Sequence, residues 1–148
     1  MKIIVRPRLE EMMAATPSRL VVMLYDEAIG ALQAAIAAAT RGDIETRCNS
    51  VTAATEIVGY LYMDLDLEQG GEVADNLGAI YAHIMHRLPR VNLYNDAETA
   101  EEAISLLEPL RESWNELDSR IVAGIPDEMM PLPTARSMRT EVHAEPTI

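Results

Sequence analysis

At 148 residues the chain has the size of one domain and is long enough to bury a core. Nearly half of it is apolar, chiefly Ala, Leu, Ile and Met with no Phe, which excludes a chain disordered by composition and favours helix over strand. Acids outnumber bases 24 to 12 for a net charge of -12, which disfavours nucleic acid and anionic membrane as partners, since both are held by Lys and Arg.

Residues 1–16 form a lead segment in which Leu9, Met12 and Met13 fit one helical face. The start is short and is broken at Pro7, so it does not read as a signal peptide. Thr16-Pro17 is the first strong helix start, because Thr caps well and proline at the first helical position loses no hydrogen bond. The first helix is predicted to run to about Thr40 and to end on Gly42. Asp26, Glu27 and Gln33 interrupt its apolar stretch, which predicts a buried helix and no membrane insertion.

Asp43 caps a second helix carrying Ile44, Cys48, Val51, Thr55, Val58, Tyr62 and Leu65 at alternating four and three spacing, a heptad seam. It is predicted to end near Asp66, before the flexible Gly70-Gly71. A third helix from about Glu72 places Leu77, Ile80, Ile84, Leu88 and Val91 inward, with a kink at Pro89. Asn95-Asp96 makes a turn and a cap. A fourth helix from about Ala97 carries Ala100, Ala103, Leu107, Leu110, Trp114, Leu117 and Ile121, with Pro109 inside it. Gly124 and Pro126 end it, and residues 125–148 read as a proline-rich, disordered tail.

The predicted fold is therefore all-α, an antiparallel up-down-up-down four-helix bundle over residues 17–124, flanked by the 1–16 segment and the 125–148 tail. Catalytic chemistry is not expected. No Glu-x-x-His, Cys-x-x-Cys or glycine-rich phosphate loop occurs, and His83 and His86 read as rim residues, so no metal or cofactor is predicted. The single cysteine, Cys48, permits no internal disulfide and fits a reducing, cytoplasmic setting.

The chain has apolar residues in excess of one stripe per helix. Beside the first helix's row of Val21, Leu24, Ala28, Leu32, Ala35 and Ala39 runs a second row of Val22, Tyr25, Ile29 and Ile36. Ala53, Ile57 and Tyr60 lie off the second helix's seam, and Ala74, Gly78, Tyr81 and Met85 lie beside the third helix's core row. A thick core would use such residues, and so would a groove for a guest's amphipathic helix. The groove reading names Val22, Tyr25, Ile29, Ile57, Tyr60, Tyr81 and Met85 as guest contacts. Asp26 is expected to order the bundle through a partner such as Arg87.

Pro17-Ser18-Arg19-Leu20-Val21-Val22-Met23-Leu24-Tyr25-Asp26-Glu27-Ala28-Ile29 resembles the first-helix signature of the flagellar secretion chaperones, the FliS family. Gly42-Asp43-Ile44, Leu65-Asp66 with Gly70 to Leu77, Tyr81, Arg87-Leu88, Asn92-Leu93, Asn95-Asp96 and Leu107 to Trp114 match in the family's order, over about residues 12–118. The resemblance implies a cytoplasmic chaperone that holds the C-terminal segment of flagellin, blocks early polymerisation and delivers it to the export gate. A helical adaptor for a flagellar regulator such as an anti-sigma factor is the alternative. Glu27 stands where the family has Gly, Pro89 and Pro109 interrupt its continuous helices, and Met12 and Met13 lie nearest to where its groove-covering tyrosine falls.

Overall fold

The computed structural model describes residues 15–65 and 70–122. The sequence readings on the lead segment, on Asp66 and on the tail lie outside these residues. Within them the chain is all-helical: α1 Pro17–Arg41, α2 Ile44–Met63, α3 Gly71–Arg87, α4 Pro89–Tyr94 and α5 Ala97–Val122.

The ends follow the predicted caps. Thr16 is extended, and its side chain accepts from the Arg19 N–H at 3.0 Å. Gly42 closes α1 at φ 75°, a left-handed conformation that costs glycine nothing, and Asp43 accepts from the Thr46 N–H at 3.1 Å. Asp96 caps α5 twice, through the Thr99 N–H at 3.2 Å and the Thr99 hydroxyl at 2.9 Å.

The two internal prolines behave differently. Pro89 divides the predicted third helix into α3 and α4, with Leu88 still helical between them and its N–H bonded to Ile84 at 2.9 Å. Pro109 leaves α5 unbroken over 26 residues. The neighbours of α5 explain this, because Ala103, Leu107, Trp114 and Leu117 anchor it in the core on both sides of the proline.

Side-chain bonds give the relative directions. Arg19 reaches Asn115 and Asp118, and Asp26 reaches Arg111, so α1 and α5 run antiparallel. Arg47 holds Asn92 at 3.2 Å and Asn95 at 2.6 Å, joining the start of α2 to the end of α4. Helix α1 packs against α2 on one side and α5 on the other. It is long and apolar enough to span a bilayer, yet its apolar side chains form the centre of this core.

The inward row of α2 differs from the predicted seam. Val51, Ala54, Val58, Leu61 and Leu65 are buried, whereas Ile44 is 63% exposed and Tyr62 is exposed. Val51, Val58 and Leu65 of the predicted row stay in the core, while Ile44 and Tyr62 fall outside it, and Ala54 and Leu61 take inward positions that the strict four-three spacing skipped. Thr55 bonds back to the Val51 carbonyl at 2.8 Å and takes no part in the seam.

Candidate partner-binding surface

The seven residues expected to touch a guest fall into three environments. Val22, Tyr25 and Tyr81 are fully closed off from solvent. Their second apolar row on α1 is consumed by the fold itself, since α1 has neighbours on two sides and reaches across to α3 through its tyrosine. The Tyr25 and Tyr81 rings meet edge to face with centroids 6.4 Å apart, and their hydroxyls share one buried hydrogen bond. Burial, then the neighbouring Tyr81, raises the Tyr25 phenol well above its ordinary value. Burial also pushes Tyr81 up to about 12, so both stay protonated. The Trp114 indole acts on Tyr25 in the opposite sense, although its N–H reaches no partner at hydrogen-bonding geometry.

Ile29 is 8% exposed and lines an open depression between α1 and α5. Ile57 and Met85 are half-buried, packing on the core while leaving an edge outside. Gly59 on α2 faces Met85, whose sulfur an added side chain would meet at 3.7 Å, an ordinary contact. Tyr60, one residue on, is 59% exposed. These three side chains therefore frame an outward apolar edge on α2 and α3.

The sequence reading missed Met63, which is 75% exposed. It lies three residues after Tyr60, so the two side chains are neighbours on the outer side of α2. That spacing was available in the sequence, but the residue sits at the end of the helix. Val73, Leu93 and Tyr94 are also exposed, the last stacked under Arg90 at 4.9 Å.

Asp26 is bonded to Arg111 at 2.6 Å and not to Arg87, which instead pairs with Glu102 at 3.0 Å. The antiparallel run of α5 along α1 brings Arg111 to that position. At the foot of the same seam Asp118 gathers the Ser18 hydroxyl at 2.8 Å, the Thr16 hydroxyl and the Arg19 guanidinium at 3.0 Å. Burial alone would raise its carboxyl pKa, but these donors together hold it below the usual aspartate value. Among the described residues no three His, Cys, Asp or Glu side chains converge as a metal site would require.

An apolar edge of Ile, Tyr and Met on a helical protein is suited to holding another chain. The family model described as flagellar protein FliS matches residues 6–121. The chain belongs to the FliS family. A Salmonella typhimurium relative is 36% identical over 109 residues, covering 73% of this chain and 81% of the relative. A Campylobacter jejuni relative is 34% identical, covering 69% and 80%. Both carry the name flagellar secretion chaperone FliS. A Pseudomonas aeruginosa relative named flagellar secretion chaperone FliSB is 33% identical, covering 68% of this chain and 80% of its own length.

Proposed function

We propose that this FliS-family chain is a cytoplasmic flagellar export chaperone that binds the C-terminal segment of flagellin, keeps it from polymerising early and passes it to the export apparatus. The observation that carries this reading is the exposed pair Tyr60 and Met63 on α2, beside the half-buried Ile57 and Met85, in a family whose relatives are named secretion chaperones. The chaperone domain spans residues 17–124 as an up-down-up-down bundle, a reading supported by the antiparallel bonding of α1 to α5 and the two-residue Gly42-Asp43 turn between α1 and α2.

A guest that folds on binding must recover its ordering entropy, so it needs a long apolar track more than a deep cavity. Tyr60 and Met63 supply the exposed part of such a track on α2, with Tyr and Met offering broad, adaptable contact. Val22, Tyr25 and Tyr81 then act beneath the track as its rigid support. Handover to the export gate requires moderate affinity, which suits an open edge.

The test mixes the chain with a flagellin C-terminal peptide and follows helicity by circular dichroism. Helicity above the sum of the separate spectra, reduced by Tyr60→Ala with Met63→Ala, is the expected result. Strictly additive spectra at peptide excess would overturn the reading.

A further inference from the structure

The depression between α1 and α5 holds about 660 Å³ and is lined by Asp26, Ile29, Ser105, Glu108, Pro109, Arg111 and Glu112. Ile29 and the Pro109 ring give it an apolar patch. Three carboxylates face one guanidinium, and Arg111 is already engaged, with Asp26 at 2.6 Å and Glu112 at 3.5 Å. Glu108 is exposed and has no ion pair among the described residues. Pro109 has no N–H, so the Ser105 carbonyl lacks the donor that an unbroken helical ladder would provide. The site thus offers an apolar wall, one uncommitted carboxylate and one freed carbonyl oxygen. None of the exposed α2 residues lines it.

We propose that this depression seats a lysine or arginine of the held segment. The alkyl stem lies against Ile29 and Pro109, while the charged head meets Glu108 and the Ser105 carbonyl. A long cationic side chain is the occupant that satisfies all three features, because its stem is apolar and its head only donates. The surplus negative charge around the depression favours it further, and the chain's net charge of -12 steers a basic segment toward the protein before contact. The proposal rests on the reading that the chain holds an amphipathic segment, and it adds a second anchoring point on the seam opposite in character to the α2 row.

The experiment compares two synthetic amphipathic helical peptides that share one apolar face and differ only in carrying Lys or Gln on the other. Binding to the full chain is measured by calorimetry at low and at high salt. The Lys peptide is expected to bind about tenfold more tightly at low salt, with the gap narrowing as salt screens it. Glu108→Lys with Glu112→Lys is expected to remove that preference. The control, Glu98→Lys with Glu101→Lys, makes the same charge change earlier on α5 and is expected to retain most of it. Equal binding of the two peptides, or an equal loss in both double variants, overturns the proposal. These readouts use no flagellin, so a flagellin segment that fails to bind would sink the export reading by a separate measurement.

Discussion

Helices α1 and α2 both carry two apolar rows in sequence, and the fold uses them in opposite ways. On α1 most of both rows is buried, from Val21 and Val22 through Leu32 to Ala39, with Leu24 and Ile36 partly buried against the core. On α2 one row is buried, and the other leaves Tyr60 and Met63 in solvent. The difference lies in the neighbours. Helix α1 is flanked by α2 and α5 and reaches α3 through Tyr25, whereas α2 turns one side outward. A wide apolar stripe therefore reports how many elements a helix must cover, and only its position in the bundle decides whether a partner can reach it.

The largest effect that separates the two helices is a truncation on each. Leu32→Ala removes a fully buried side chain and is expected to cost about 3 kcal/mol by urea denaturation, through lost transfer energy and the cavity left behind. Tyr60→Ala is expected to change stability by about 0.5 kcal/mol or less, while weakening guest binding about tenfold. Comparable destabilisation by both would mean that α2 has no free row.

Next in size is the tyrosine pair. Tyr25→Phe leaves the Tyr81 hydroxyl buried without its partner, at an expected cost of about 1–2 kcal/mol. Adding Tyr81→Phe is expected to recover part of that loss, since no orphaned hydroxyl remains. A double-mutant cycle measures the coupling, and strict additivity would show that the two hydroxyls act independently.

Most of the fold was legible because caps and turns are local signals. Thr16-Pro17, Gly42-Asp43 and Asn95-Asp96 each mark a boundary through one residue's own conformational preference. The site was less legible. Whether Val22 or Tyr81 meets a guest or a neighbour depends on which helices sit beside it, and periodicity carries no such information. Ile57, Tyr60 and Met85 were placed at the surface or its edge because they lie off the core row on helices with one free side. The Asp26 partner needed the register of α5 against α1, which no local pattern encodes. Pro89 was readable as a break, but the persistence of α5 through Pro109 required its packing.

A smaller effect comes from acid. The Asp118 carboxyl is held below the ordinary aspartate value, because the hydroxyls of Thr16 and Ser18 and the charge of Arg19 together outweigh burial. A folded-state pKa below the unfolded one gives stability that is present above the unfolded value and lost as pH falls through the folded one. The α1–α5 seam is therefore expected to weaken below about pH 4, the unfolded aspartate range. Asp118→Asn is expected to be less stable at neutral pH and to show a shallower acid limb in melting temperature against pH. An unchanged acid limb would assign that transition to other carboxylates.

The finest distinction between the helices comes from one glycine on each. Gly30 on α1 has nothing within 4 Å of where a side chain would begin, and Gly59 on α2 has only the Met85 sulfur at 3.7 Å, an ordinary contact. Both lie inside helices without a left-handed conformation, so alanine at either is expected to stabilise by about 0.5–1 kcal/mol through helix propensity and a less free unfolded chain. Their effects on a guest are expected to diverge. A methyl group at Gly59 would lie against Met85, which borders the exposed α2 side chains, so Gly59→Ala is expected to weaken binding a few-fold while raising the melting temperature. Gly30→Ala is expected to raise the melting temperature and leave binding unchanged. Weakening by Gly30→Ala instead would move the guest from α2 to α1 and reverse the roles of the two helices.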